Sequence, residues 1–285
     1  MSAQEFFNYY LPDKLAAPVE ARAFAPSNVA LSKYWGKRDK ELNLPTNSSL
    51  SVSLGDWGTT TSISAASGPN DRVIFDDIEL AIDDPAFRRL QVFLDRFRRR
   101  QNIPLTIVTK NSVPTSAGLA SSASGFAALT LALNASLSLD LPKSTLSMMA
   151  RFGSGSAARS LWHSFVLWER GSRLDHSDCV AAPLEVDWPD FRVAIVTVDT
   201  GPKAASSSLG MLRTAETSPF YEAWTALAET DCQRVHAAVV DHDLVALGKT
   251  AEGNALAMHA IMLAARPPLT YIKPATLEVL EKLWR

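Results

Sequence analysis

The chain has almost no cysteine: Cys179 and Cys232 are the two in 285 residues. Neither stands at a metal-ligand spacing and so few cannot make a disulfide framework, so a reducing compartment is expected. The chain also lacks an excess of charge of either sign. Twenty-eight basic and 30 acidic residues leave a net charge of −2. That gives no overall field to draw the protein to nucleic acid or to a membrane, so any anion site must be local. No uncharged apolar run reaches the ~18 residues of a membrane span. The opening M-S-A-Q-E-F-F-N-Y-Y has no basic segment followed by a long apolar one, so no secretory signal is expected. Internal repeats and low-complexity tracts are missing as well. What remains, 47% hydrophobic and 20% charged, fits a soluble cytoplasmic protein with ample core.

β-Branched runs with local alternation predict strands over 51–54, 59–64, 72–75, 105–110 and 192–198. Helical spacing predicts helices over 85–101, 119–137, 143–152, 220–239 and 243–265, and from Pro274 onward. Asp84-Pro85 reads as an N-cap with proline at the first helical position. The pattern is mixed α+β, strand-rich first and helix-rich later. A division into 1–187 and 188–285 follows, with the boundary in the polar stretch around Pro189.

Residues 25–39 read A-P-S-N-V-A-L-S-K-Y-W-G-K-R-D. Lys33, Tyr34, Trp35, Gly36, Lys37 and Arg38 in succession serve no core element. Cations beside aromatics and a glycine suit the gripping of an organic anion. A plainer reading packs Trp35 in the core and leaves residues 37–39 as a solvated turn. Residues 111–124, N-S-V-P-T-S-A-G-L-A-S-S-A-S, follow a predicted strand and open a predicted helix. Small residues let a polyanion approach the backbone, and a helix N-terminus offers unpaired N–H groups and partial positive charge. The hydroxyls of Ser121 and Ser122 suit phosphate or magnesium. A serine-rich capping loop is the competing reading. Residues 153–159, G-S-G-S-A-A-R, combine a flexible hydroxyl-bearing turn with the forked donor Arg159. Read alone, they are a capping loop with a surface arginine.

Arg88, Arg89, Arg96, Arg98, Arg99 and Arg100 crowd the helix over 85–101. Nearby aspartates and the neutral overall charge predict a solvated face, not a nucleic-acid surface. His259 has no cysteine or acidic partner at ligand spacing and is expected to pack or cap.

Together these motifs resemble the diphosphomevalonate decarboxylases of the GHMP kinase superfamily. The K-Y-W-G-K-R-D string, L-N-L-P-T-N-S-S-L-S-V over 42–52, P-x-x-x-G-L-x-S-S-A from Pro114 and G-S-G-S-A-x-R carry the likeness along nearly the whole chain. The resemblance implies a GHMP kinase-like two-lobed α+β fold with a deep central cleft. Its N-terminal lobe would resemble the second domain of a small-subunit ribosomal protein, and its C-terminal lobe would be ferredoxin-like. The implied activity is ATP-dependent decarboxylation of (R)-5-diphosphomevalonate to isopentenyl diphosphate, with ATP and Mg2+, in a cytoplasmic homodimer. ATP phosphates would meet Ser116, Ala117, Gly118, Ser121 and Ser122, and Ser122 would also meet the metal. Substrate would meet Tyr34, Trp35, Gly36, Lys37, Arg89, Ser154, Gly155, Ser156, Ala157, Ala158, Arg159 and Ser208. Lys33 and Arg159 would be catalytic. Ala158 stands where relatives often have cysteine, and Ser208 replaces a threonine in a S-S-T-x-G-M loop.

The family's catalytic aspartate lies in a D-A-G-P-N motif near the C-terminus. This chain ends at Arg285 inside a predicted helix, so a further segment bearing that aspartate is expected, and a protein ending here would be nearly inactive. Asp199-Thr200-Gly201-Pro202 mimics the motif but falls before the 206–211 loop and is set aside. The alternatives are a related small-molecule kinase, a phosphomevalonate decarboxylase, or a non-catalytic binding homologue.

Overall fold

The structure, a computed structural model, describes residues 2–112, 121–199 and 206–285, with the side chain of Ser121 outside that description. Its organising element is one long strand. β1 (Ala21–Ser32) and β4 (Ser49–Ala65) run antiparallel along almost their full lengths. The other edge of β4 is shared. Its first residues pair with β8 (Phe165–Trp168), and its last seven pair with β7 (Leu105–Asn111). β5 (Arg72–Phe75) lies parallel to β7, β6 (Ile78–Glu79) closes that side, and β9 (Ala181–Pro183) closes the other. β2 (Lys37–Asp39) and β3 (Leu44–Pro45) form a separate ribbon inside the opening signature. The predicted strands at 51–54 and 59–64 are therefore one strand of 17 residues. The mixed α+β expectation holds.

One face of the sheet carries α1 (Ala3–Tyr10), α2 (Pro85–Arg98), α3 (Ser121–Ser136) and α4 (Lys143–Gly153), followed by a 3-10 turn (Gly155–Arg159). Local chemistry fixes their starts. Ser2 and Glu5 make a reciprocal capping box on α1, and Asp84 caps α2 ahead of Pro85. Phe6, Phe7, Phe93, Phe97 and Phe152 then interleave at ring distances of about 5 to 6.5 Å. Burying each such ring is worth about 1.5–3 kcal/mol. α3 is held to the sheet by polar pins as well: Ser124 lies 2.7 Å from Thr59 Oγ1 and 3.2 Å from Ser27 Oγ.

α6 (Tyr221–Val240) and α7 (Leu244–Leu263) pack against β1 and β4 through Leu50, Val52, Phe165, Val235, Val239 and Leu247. A smaller apolar cluster joins Trp35 to Trp224, Ala228, Met258, Ile261 and Met262. α5 (Ser207–Thr217) and α8 (Pro274–Trp284) complete the described elements. Residues 206–211, expected as a polar loop, are the N-cap and first turn of α5. The predicted strand at 192–198 does not form. Its alternation is real, but none of the described strands runs beside it, and Val193, Val196 and Val198 are exposed. Past Pro183 the described elements are helices. No described helix is long and apolar enough to cross a membrane.

The arginines of α2 and its end divide: Arg88, Arg89 and Arg100 are exposed, as composition predicts, and the other three are partly or fully buried. Arg98 makes a buried bidentate pair with Asp71, Arg99 reaches Asp13, and Arg96 lies over Phe152. These three tie the end of α2 to its surroundings.

Candidate active site

The opening signature leaves β1 at Lys33 and turns back through the β2–β3 ribbon. Gly36 makes the turn possible. Its φ is +142°, and a Cβ there would lie 1.7 Å from the Tyr221 hydroxyl. That hydroxyl sits 3.3 Å from Thr46 Oγ1, so α6 is seated directly on the glycine. Glu229 of α6 accepts from the Ser48 N–H and hydroxyl at 2.7 and 2.8 Å.

The G-S-G-S-A-A-R segment ends α4 and forms the 3-10 turn beneath the signature. Gly155 lies against Tyr34, where a Cβ would be 2.6 Å from the phenol oxygen. Gly153 leaves room for the Phe126 ring, which a Cβ would approach to 2.1 Å. Ser154 Oγ is 3.3 Å from both Ser156 Oγ and Ser122 Oγ. The first turn of α3 and the candidate substrate turn therefore touch through hydroxyls. Ser116, Ala117 and Gly118 lie outside the described residues, as does the side chain of Ser121.

Four cations gather around this turn. Arg159 is 2% exposed and donates to Ser51 Oγ at 3.1 Å, Ser49 Oγ at 2.5 Å and Asn28 Oδ1 at 3.5 Å, with its guanidinium 5.6 Å over Trp168. The surface arginine of the plainer reading is thus a buried one, because the 3-10 turn points it back across the sheet. Arg89 donates to the Gly153 carbonyl at 2.6 Å and stacks 4.9 Å from the Phe126 ring centre. Lys37 donates to Asn43 Oδ1 at 2.5 Å, and Lys33 Nζ to the Ala30 carbonyl at 3.0 Å. Among the described residues none of the four has a carboxylate within ion-pair distance.

The electrostatics follow from that imbalance. Burial, then the nearby Arg159, lowers the Lys33 pKa; burial, then Arg89, lowers that of Lys37. Burial lowers Arg89 and pulls Arg159 down to about 10, still fully charged near neutrality. Desolvated cations without counter-charges are costly, and an anionic ligand removes the cost. The like-charged neighbours fall in two pairs, Lys33 near Arg159 and Lys37 near Arg89.

Other candidates are placed differently. The Trp35 indole is packed in the cluster with Trp224 and is 5% exposed, so the core-packing alternative describes its ring. Tyr34 is buried on Trp168, with its hydroxyl unpartnered and its pKa raised by burial. Ala157 and Ala158 turn their methyl groups into the main core. Ser208 is exposed in the first turn of α5, whose Gly210 packs against Trp35. His259 is half-buried with Nδ1 unpartnered, and its pKa is lowered by burial and then by Lys33.

Sequence reasoning left several site residues unassigned. Asn28 also donates to Ser160 Oγ at 2.7 Å. Asn43 donates to the Arg151 and Phe152 carbonyls while holding Lys37. Asn47 donates to the Lys33 carbonyl at 2.9 Å. Their signal was position inside the signature strings. Tyr221, Glu229 and Asn254 gave none, being 170 or more residues from what they touch.

Beside Ser122 lies a cavity of about 240 Å3 between α2, α3 and the sheet. Val73, Phe75, Leu80, Ile107, Phe126 and Leu129 make it largely apolar. Gly125 lines it too, with nothing within 4 Å of where a Cβ would be.

Comparison with known proteins gives a consistent result. A family model described as diphosphomevalonate decarboxylase-like N-terminal domain matches residues 25–181. A second, the mevalonate 5-diphosphate decarboxylase C-terminal domain, matches residues 193–283. The diphosphomevalonate decarboxylase of Candida albicans is 38% identical over 280 residues, covering 92% of this chain and 76% of the relative. The mevalonate diphosphate decarboxylase structure from Staphylococcus aureus superposes with a TM-score of 0.83 at 34% identity, covering 92% of this chain and 80% of that one. A structure described as MDDEF in complex with MVAPP, AMPPCP and magnesium gives 0.83 at 35% identity, covering 94% and 82%.

Proposed function

The chain belongs to the diphosphomevalonate decarboxylase family, and from that premise we propose how its own residues carry the reaction. The activity is the ATP-dependent decarboxylation of (R)-5-diphosphomevalonate to isopentenyl diphosphate, with ADP, phosphate and carbon dioxide. The observation that carries the residue assignment is four cations around one turn, Arg159 buried, Lys33 and Lys37 half-buried and Arg89 exposed, none with a described carboxylate partner.

Lys37 and Arg89, with the hydroxyls of Ser154 and Ser156, hold the substrate diphosphate. Lys33 and Arg159 meet the carboxylate and the tertiary hydroxyl. ATP phosphorylates that hydroxyl; phosphate then leaves and the carboxylate is lost as carbon dioxide. The protein contributes positioning and charge neutralisation in a site poor in water. The contact between Ser122 and Ser154 supports a face-to-face arrangement of nucleotide and substrate. We assign the adenine to the apolar cavity beside Ser122, since a flat aromatic base suits apolar walls and the helix N-terminus suits its phosphates.

Magnesium fits this donor set as an ion carried by the nucleotide: Ser122 offers one oxygen, and the described residues hold no cluster of three acidic, His or Cys side chains. When bound it would neutralise phosphate charge. A homodimer in the cytoplasm belongs to the same proposal, and two free buried thiols agree with a reducing setting.

The test is incubation with ATP, magnesium and diphosphomevalonate, followed by detection of isopentenyl diphosphate and carbon dioxide. A phosphorylated product without gas release would mark a kinase. Faster turnover of the monophosphate would mark the other decarboxylase.

A further inference from the structure

Lys33 lies just past the end of β1, and no strand ladder holds its peptide groups. Two side-chain amides hold them instead. Asn47 donates to its carbonyl at 2.9 Å, and its N–H donates to Oδ1 of Asn254 at 2.7 Å. Asn254 is on α7, 221 residues further along the chain, and is fully buried.

A buried amide has to satisfy both ends, and its neighbours decide which end points where. Nδ2 of Asn254 donates to Oδ2 of Asp231 at 3.2 Å. Asp231, on α6, is 5% exposed and also meets Arg234 at 3.3 Å. An ionised carboxylate only accepts, so it draws the NH2 group and leaves the amide oxygen facing the N–H of Lys33. A reversed amide would set two acceptors against each other on one side and two donors on the other.

The chain of carboxylate, amide and peptide therefore runs from α6 through α7 to the signature. The remaining freedom of Lys33 is in its side chain, which is tethered to Ala30 beside Arg159. We infer that Asn254, oriented by Asp231, is a positioning residue that fixes Lys33 at the reacting end of the substrate. This rests on the reading of Lys33 given above. The helices that seat the signature also set where its lysine can reach.

A double-mutant cycle on the full chain tests this, using Lys33→Ala, Asn254→Ala and the double variant. The readouts are the dissociation constant for diphosphomevalonate, turnover, and the dissociation constant for magnesium–ATP. A small displacement of a reacting group costs on the order of tenfold or more. Asn254→Ala is expected to weaken diphosphomevalonate binding or turnover by that factor and leave the ATP constant unchanged. In the Lys33→Ala background the same substitution is expected to add less than about twofold, because coupled residues are not additive. Asp231→Asn keeps an acceptor for the amide and is expected to stay within about threefold of the parent, whereas Asp231→Ala is expected to follow Asn254→Ala. That comparison decides the matter should Asn254→Ala not fold. Equal losses in both backgrounds, a parallel loss of ATP affinity, or indistinguishable Asp231 variants would overturn the inference. If Lys33→Ala itself changed neither binding nor turnover, the reading of Lys33 would be wrong and the inference would go with it.

Discussion

Replacing Arg159 with methionine separates the two roles open to a buried cation. In the free protein its guanidinium is 2% exposed and has no described carboxylate partner. Its bonds to Ser51 at 3.1 Å and Ser49 at 2.5 Å are charge-assisted, and such bonds are worth about 1.5–3 kcal/mol each. The Asn28 contact at 3.5 Å is weaker, and stacking over Trp168 adds about 1 kcal/mol. Against these stands desolvation, several kcal/mol for a buried ion. The two sides nearly cancel. Methionine fills similar space, so the stability of the free protein is expected to move by no more than about 1.5 kcal/mol in either direction, roughly 3–6 °C in Tm for a chain of this size. Ligand binding is expected to respond quite differently. Truncating one member of a buried charge pair costs about 2–5 kcal/mol, a factor of roughly 30 to 5,000 in affinity. Thermal unfolding without ligand and calorimetric titration with diphosphomevalonate measure the two quantities. An unchanged dissociation constant would refute the substrate assignment. A loss above about 4 kcal/mol in the free protein would make Arg159 a structural group.

Ser122→Ala removes a hydroxyl whose described partner is Ser154; it is expected to raise the KM for magnesium–ATP about five- to tenfold with Tm nearly constant, and unaltered nucleotide kinetics would detach Ser122 from the phosphates. Gly125→Leu projects into the cavity beside it. Losing a mid-helix glycine adds about 0.5–1 kcal/mol of stability, while ATP binding is expected to weaken at least tenfold by calorimetry; full ATP affinity would remove the adenine from that cavity. Gly36→Ala combines a forbidden φ with the Tyr221 hydroxyl, and a destabilisation of about 2–4 kcal/mol is expected in denaturant unfolding; a neutral result would mean that α6 does not rest on the signature. The two lysines give a pH test. Burial lowers their pKa values in the folded free protein, so their charged forms cost stability below those values. The cost fades as pH rises through them toward the ordinary 10.5. An anionic ligand reverses the shift, so binding is expected to take up protons in that alkaline window and to weaken as pH rises through it. Calorimetry in buffers of different ionisation enthalpy reads the uptake, and its absence would place both lysines away from the ligand.

The sequence alone determined the elements whose signals are local. α2 was legible because Asp84-Pro85 starts it and Phe87, Leu90, Leu94 and Phe97 stripe it. β7 and the paired helices α6 and α7 follow from spacing alone. The candidate site strings were legible too, since lysines, arginines and serines cluster there in runs that no strand or helix period explains. Tertiary structure decided what those side chains do. It sent the Trp35 ring into the core and buried Arg159, because burial depends on which surface meets each residue. It withheld a strand from 192–198, because alternation forms a strand only where another backbone offers a ladder. It brought Asn254, Glu229 and Tyr221 to the signature, contacts that no periodicity encodes. A sequence carries propensities along one dimension, whereas the gathering of Lys33, Lys37, Arg89 and Arg159 around one turn exists only after folding has brought distant residues together.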